Sequence, residues 1–170
     1  YCLKLCGISI KNSPNNVKFI KGDTFSSPSK ELDCGNSGTS MRLLCGLLAS
    51  KGINATLIGD KSLSNRPMGR IIKPLFERGV DIKSINNLAP IIIKKSTLTG
   101  FKYKNKISSA QVKSAILFSG LTATDPTYYH ESILSRDHTE IMLKNVELIR
   151  RIQCITSRFY VLIRITKIPI

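Results

Sequence analysis

Three short polar stretches in this chain carry the residue types that hold anions, and each stands just ahead of a helical pattern. The first is Gly35-Asn36-Ser37-Gly38-Thr39. Backbone N–H groups left free at a helix start point into the space before it and suit a phosphate or carboxylate. Gly38 would let a ligand approach the backbone closely. The stretch does not satisfy the phosphate-loop pattern G-x-x-x-x-G-K-[ST], and plain helix capping would also account for it. The second is Gly59 to Met68. Arg66 immediately precedes Pro67, read here as the first residue of a helix. A guanidinium and a helix dipole could then share one anion, although a solvated loop arginine is the plainer reading. The third joins Ser108-Ser109-Ala110-Gln111 to Ser135-Arg136-Asp137-His138. Hydroxyls, an amide and a guanidinium at converging helix starts suit a polyhydroxylated, phosphorylated ligand. A capping box accounts equally for Ser135 to Asp137, and a surface position for His138. No nucleophile–base pair, H-E-x-x-H, G-x-S-x-G, clustered metal ligands or paired carboxylates occur. From the residues alone the chain is an anion-binding α/β repeat protein, with no catalytic group assigned.

The elements that must position these stretches are legible as an alternation. Short strands are expected over 5–10 and 16–20, around a turn at 12–15. Leu32-Asp33 ends a strand, a helix runs from about Thr39 to Ser50, and Gly52 closes it with a left-handed cap. A strand over 54–58 and a polar loop over 59–65 lead to a second helix from Pro67, with Met68, Ile71, Ile72 and Leu75 as its apolar stripe and Gly79 at its end. Strands over 80–85 and 90–94 flank an Asn86-Asn87 turn. Then come a strand over 101–104, a helix capped by Ser108 over 109–120, a strand over 127–131, and a helix capped by Ser135 reaching about Leu148.

That order repeats. A shift of 71 residues lays Ser37 on Ser108, Met41 on Val112, Arg42 on Lys113 and Leu63-Ser64 on Leu134-Ser135. The same shift lays Ile71, Ile72 and Leu75 on Met142, Leu143 and Val146, and Ile91-Ile92 on Leu162-Ile163. Matching turns and helix stripes in one register imply two copies of a βαβαββ unit, near 30–98 and 101–166. A repeat fold of two copies stands to gain another neighbour.

Composition bounds the partners. Lys and Arg total 26 against 11 Asp and Glu, a net charge of +15. Such a field attracts phosphorylated small molecules, nucleic acid or acidic membranes. The basic residues are spread along the chain. A nucleic-acid surface would need clustered cations with stacking aromatics, hinted at only by Phe101-Lys102-Tyr103-Lys104 and Arg158-Phe159-Tyr160. The five cysteines show C-x3-C once with no second pair, so reduced core thiols are expected rather than a zinc site or disulfide framework. No apolar run reaches about 18 residues, so no membrane span is expected. The opening Tyr1-Cys2-Leu3-Lys4-Leu5-Cys6-Gly7 reads as the tail of a helix, without a signal peptide.

Four of these stretches together resemble the EPSP synthase (3-phosphoshikimate 1-carboxyvinyltransferase) family. Leu32 to Arg42 resembles L-D-x-G-N-S-G-T-x-x-R, and Gly59 to Arg70 resembles G-D-x-S-L-x-x-R-P-M-x-R. Ser109 to Ala115 is S-A-Q-V-K-S-A, and Ser135 to Glu140 is S-R-D-H-T-E. The resemblance runs from about Tyr1 to Leu143, making 1–143 a partial enolpyruvate transferase domain and 144–170 a divergent basic tail. The pair S-A-Q-V-K-S-A and S-R-D-H-T-E argues against the sister UDP-N-acetylglucosamine enolpyruvyl transferases.

The resemblance implies an α/β (α+β) globule built from three βαβαββ units, about two of them here. It implies transfer of enolpyruvyl from phosphoenolpyruvate to shikimate 3-phosphate on the route to chorismate and aromatic amino acids, with no metal or organic cofactor. It implies phosphoenolpyruvate binding by Asn36, Gly38, Arg66 and Gln111. It implies shikimate 3-phosphate binding by Ser109, Ala110, Gln111, Ser135 and Arg136. Gly38 resembles the glyphosate-sensitive form of its turn. A monomer in the cytoplasm, or in the plastid of a plastid-bearing cell, is expected, with neither nucleic acid nor membrane as partner. Ile141 departs from the usual Arg of T-E-R-M-L. The family's K-S-x-S-x-R segment with its essential Lys and its second globule fall outside the 170 residues, so these residues alone are expected not to turn over.

Overall fold

The computed structural model describes residues 1–12, 18–21, 24–145, 151–155 and 158–163. In chain order the elements are α1 (Cys2–Leu5), β1 (Ser9–Asn12), β2 (Lys18–Lys21), β3 (Leu32–Asp33), α2 (Gly38–Lys51), β4 (Ala55–Ile58), α3 (Lys61–Ser64), α4 (Gly69–Glu77), β5 (Asp81–Ile85), β6 (Leu88–Lys94), β7 (Phe101–Asn105), α5 (Ala110–Ser119), β8 (Thr127–Glu131), α6 (His138–Asn145), β9 (Arg151–Ile155) and β10 (Arg158–Ile163).

Two four-stranded sheets share one topology, β3-β4-β6-β5 and β7-β8-β10-β9. In each, the first pair is parallel and the others antiparallel. The ladders carry the repeat residue by residue. Thr56 pairs with Ile92 and Leu57 with Ile91; Thr127 pairs with Ile163 and Tyr128 with Leu162, each partner displaced by 71 positions. The basic stretch after Arg150 therefore supplies the strand pair that completes the second sheet. A half-copy precedes both: α1, Gly7 (φ 89°), then the β1–β2 hairpin, just as α4, Gly79 (φ 97°) and the β5–β6 hairpin follow one another.

Local chemistry sets the element ends. The Ser37 hydroxyl accepts from the Ser40 amide to start α2, and Gly52 (φ 60°) stops it. Asn86 and Asn87 both take positive φ, 52° and 57°, giving the tight β5–β6 turn. On β6, Ile91 and Ile93 are buried while Ile92 faces out, the period-2 pattern of a sheet with one covered face. The core gathers α2 (Met41, Leu44, Leu48), α4 (Ile71, Leu75) and α5 (Val112, Ile116, Leu117) against the strands, with Cys6, Cys34 and Cys45 as buried thiols.

The two units meet where α2 crosses α5. A Cβ at Gly46 would lie 2.1 Å from the Ala115 carbonyl oxygen, so only glycine permits this approach. Arg78, 6% exposed, forms a second tie. Its Nη2 donates to Thr127 Oγ1 at 2.9 Å and to the Thr99 carbonyl at 3.2 Å, and its guanidinium lies 5.3 Å from the centroid of the Phe101 ring. Burial pushes its pKa down to about 10, which still leaves it charged at neutral pH.

Several boundaries differ from expectation. Residues 5–8 are not strand, because α1 runs to Leu5 and β1 begins at Ser9. The expected turn at 12–15 and the start of its second strand fall mostly outside the described residues. Pro67 does not open the second helix. Asp60 caps the short α3 instead, and α4 starts at Gly69 after the Met68 amide has donated to the Asn87 carbonyl at 2.8 Å. Ser109, not Ser108, caps α5: its hydroxyl accepts from Val112, while the Ser108 hydroxyl donates to the Leu134 carbonyl. Ser135 does not cap α6, because its hydroxyl donates to Glu131; the first backbone bond into that helix is accepted by the Asp137 carbonyl, from Ile141. The end of that helix near Leu148 lies outside the described residues.

Candidate ligand-binding site

The Gly35–Thr39 turn is built so that Asn36 is gripped at both ends of its amide. Asp33 Oδ1 accepts from the Gly35 amide at 2.8 Å, bending the chain at the end of β3. Arg66 Nη2 donates to Asn36 Oδ1 at 2.5 Å, and Arg66 Nη1 donates to the Asn36 carbonyl at 3.2 Å. Asn36 Nδ2 in turn donates to Asp60 Oδ2 at 2.7 Å. Asp60 also accepts from the Leu63 amide at 2.7 Å. These hydrogen bonds, the Leu63 amide first and the Asn36 amide next, hold the exposed Asp60 carboxyl below its ordinary pKa. Arg66 is thus fixed by side-chain hydrogen bonds, with Ser62 Oγ at 3.1 Å as its third partner. It stands three residues ahead of α4, so an interaction with that helix dipole, expected from Pro67, is not what orients it.

Arg42 lies one turn beyond Gly38 on α2 and is half-buried. Its Nη1 donates to Gln111 Oε1 at 3.0 Å, and Gln111 Nε2 donates to Thr39 Oγ1 at 2.9 Å. Burial lowers the pKa of Arg42, and the nearby charges of Arg66 and Arg70 lower it further. Three guanidinium groups within electrostatic reach of one another make a place where an added anion is favoured. Gly38 lies against them: a Cβ there would sit 2.9 Å from Arg42 Nη1 and 3.5 Å from Leu63 Cδ1.

Gln111 also lines a cavity of about 400 Å³ together with Ser108, Ser109, Ala110, Leu134, Ser135 and Arg136. All five residues expected to face shikimate 3-phosphate therefore border one space. Gln111 joins that space to the Asn36–Arg66 cluster through Thr39 and Arg42. Exposed His138 does not line this cavity.

Two groups of polar residues go beyond the expected site. Arg42 and Thr39 were visible as an i, i+4 neighbour of Gly38 and as the hydroxyl ending its turn. Lys113 was visible as a charge inside the apolar stripe of α5, and Glu131 as the inward position of β8 after Thr127 and Tyr129. Their pairing across the fold was not visible, since no local rule joins them.

A sequence model described as EPSP synthase (3-phosphoshikimate 1-carboxyvinyltransferase) matches residues 2–153. The chain is 48% identical over 143 residues to the 3-phosphoshikimate 1-carboxyvinyltransferase of Leuconostoc citreum, covering 81% of this chain and 33% of that protein. It is 46% identical over 144 residues to the Campylobacter jejuni protein of the same name, covering 84% and 34%. The solved EPSP synthase of Acinetobacter baumannii superposes with a TM-score of 0.85 at 36% identity, over 94% of this chain and 37% of that one. The chain belongs to the EPSP synthase family. It spans about a third of the length of the curated relatives it matches.

Proposed function

We propose that this chain is the part of a 3-phosphoshikimate 1-carboxyvinyltransferase that holds much of both substrates. Asn36, Gly38, Arg66 and Gln111 bind phosphoenolpyruvate; Ser109, Ala110, Gln111, Ser135 and Arg136 bind shikimate 3-phosphate. The observation that carries this reading is the Gln111 side chain, which borders the serine-lined cavity while reaching Thr39 and Arg42 beside the Asn36–Arg66 cluster. Two anionic ligands held on either side of one amide would have their reacting ends adjacent, and such placement alone removes much of a bimolecular barrier.

In the reaction the shikimate 5-hydroxyl oxygen adds to C2 of phosphoenolpyruvate as C3 gains a proton, and the adduct then loses phosphate and a C3 proton. The groups assigned here bind and orient the anions; none is assigned proton transfer. A polypeptide of these 170 residues is therefore a binding module. The whole protein acts as a monomer in the cytoplasm or plastid, and no described helix is long and apolar enough to cross a membrane. Glyphosate takes the phosphoenolpyruvate place, and the space left by Gly38 admits it.

The test is phosphate release. The whole protein is expected to release phosphate only when both substrates are present, with glyphosate competing against phosphoenolpyruvate, and the Gly38→Ala variant is expected to need at least roughly tenfold more glyphosate for the same inhibition. That variant should keep its fold, because the atom its Cβ would approach most closely, at 2.9 Å, is the end of the Arg42 side chain rather than backbone, and a shift of that guanidinium makes room. No phosphate release from the two substrates, or release by the 170 residues alone, would contradict the assignment.

A further inference from the structure

Behind the serine-lined cavity lies a charged cluster that the binding roles above leave unused. Lys113, 2% exposed on α5, places Nζ 2.7 Å from Glu131 Oε1 and 2.6 Å from Glu140 Oε1, with both carboxylates buried as well. Lys113 thus carries one positive charge against two carboxylates, and it stays paired when either carboxylate is neutralised. Among the described residues Glu140 Oε2 has no hydrogen-bond partner, and burial pushes the Glu140 carboxyl above its ordinary value despite Lys113.

Two contacts leave this cluster and end on one cavity residue. The Ser135 hydroxyl donates to Glu131 Oε2 at 2.8 Å, and Lys113 Nζ donates to the Ser135 carbonyl at 3.3 Å. The same ion pair thus holds Ser135 by side chain and by backbone. On the opposite wall, the Lys113 amide donates to the Ser109 carbonyl at 3.1 Å, one helical turn from the cavity. The distance between the Ser109 wall and the Ser135 wall is consequently set through Lys113 and Glu131. Among the described residues Glu140 makes no hydrogen bond or ion pair to either wall; it braces Lys113 from α6, beside the Ser114–Thr139 hydroxyl pair at 2.6 Å.

We propose that Glu131 is a positioning residue for the ligand of this cavity: paired with Lys113, it holds the Ser135 hydroxyl where that hydroxyl meets the ligand. The inference rests on the reading of the cavity as the shikimate 3-phosphate site. Removing the Glu131 charge should then weaken that ligand through Ser135, and should leave phosphoenolpyruvate, held by Arg66 and Asn36, largely alone. Glu131→Gln keeps the side-chain volume and leaves Lys113 paired with Glu140, so the fold has a charge-balanced alternative.

The experiment measures dissociation constants for shikimate 3-phosphate and for phosphoenolpyruvate on the whole protein and four variants: Glu131→Gln, Ser135→Ala, their double variant, and Glu140→Gln. Glu131→Gln and Ser135→Ala are each expected to weaken shikimate 3-phosphate by about tenfold, one lost hydrogen bond, with phosphoenolpyruvate moved by less than about twofold. In the double variant the second change should add less than about twofold, because both act on one contact. Glu140→Gln should move shikimate 3-phosphate affinity by less than about twofold while shifting thermal stability. Fully multiplying effects in the double variant, equal losses from Glu140→Gln, or unaltered affinity in Ser135→Ala would overturn the proposal; the last two need no folded Glu131→Gln. Absence of shikimate 3-phosphate binding by the unaltered protein would sink the cavity reading and this inference together, whereas normal binding that ignores Glu131 would sink this inference alone.

Discussion

Arg66→Ala is expected to raise the dissociation constant for phosphoenolpyruvate by about 100-fold or more, since two charge-assisted hydrogen bonds contribute about 1.5–3 kcal/mol each. The site explains why so much depends on one side chain. Arg66 reaches the Gly35–Thr39 turn through the Asn36 carbonyl and Oδ1, and Asn36 is itself held by Asp60. The guanidinium is therefore oriented before any ligand arrives, and little entropy remains to be lost on binding. Arg66→Lys keeps the charge but has no planar fork to span two oxygens, so it should recover only part of the loss. Shikimate 3-phosphate affinity should change by a few-fold at most, because Arg66 does not line the Ser109–Arg136 cavity. Stability should stay within about 0.5 kcal/mol, as for most solvent-reached side chains. Fluorescence titrations with each substrate check the affinities of both variants, and a thermal melt checks the stability. A loss of less than about threefold for phosphoenolpyruvate would remove Arg66 from its assigned role.

The second large effect concerns the frame. Gly46→Val is expected to destabilise the protein by about 3 kcal/mol or more, lowering the melting temperature by roughly 6–12 °C. An added Cβ would meet the Ala115 carbonyl oxygen at 2.1 Å and its carbon at 2.7 Å. Those are backbone atoms within a buried helix, so no side chain can swing aside and the helices must part. Ala115→Gly should give no rescue, since the obstacle is the carbonyl and not the methyl group. Both substrates should bind more weakly in the valine variant, because α2 carries Thr39 and Arg42 while α5 carries Gln111. Differential scanning calorimetry with and without Ala115→Gly tests this. A melting temperature within about 2 °C of the unaltered protein would show that the crossing is looser than its geometry implies.

The fold and the site were legible in the sequence to different depths. The 71-residue repeat was readable because both copies bury strands and helix faces at the same spacing, and the ladders at Thr56–Ile92 and Thr127–Ile163 preserve it. The starts of α2 and α5 were readable to within a residue, since serine capping is a local signal. The second helix was misread because Pro67 suits a first helical position, whereas the Asp60 cap and the Met68–Asn87 backbone bond divide that stretch into α3 and α4. Ser135 was misread as a cap because its hydroxyl donates instead to Glu131, four residues back at the end of β8. The residues proposed to meet the ligands were readable as motif positions. What sequence could not supply was their mutual arrangement. Gln111 and Thr39 are 72 positions apart in the chain, and the helix crossing at Gly46 brings them together.

If two adjoining anion sites joined by Gln111 form the ligand-binding face, amide hydrogen exchange of the whole protein, followed by mass spectrometry, will map both. Shikimate 3-phosphate should slow exchange at Ser109 to Val112 and Ser135 to Asp137, and added phosphoenolpyruvate should extend the protection to Gly35 to Thr39 and to the segment around Arg66. Protection centred instead on the separate cavity bordered by Lys30, Asn54, Thr56 and Lys94, or none in either motif pair, would place the ligands elsewhere.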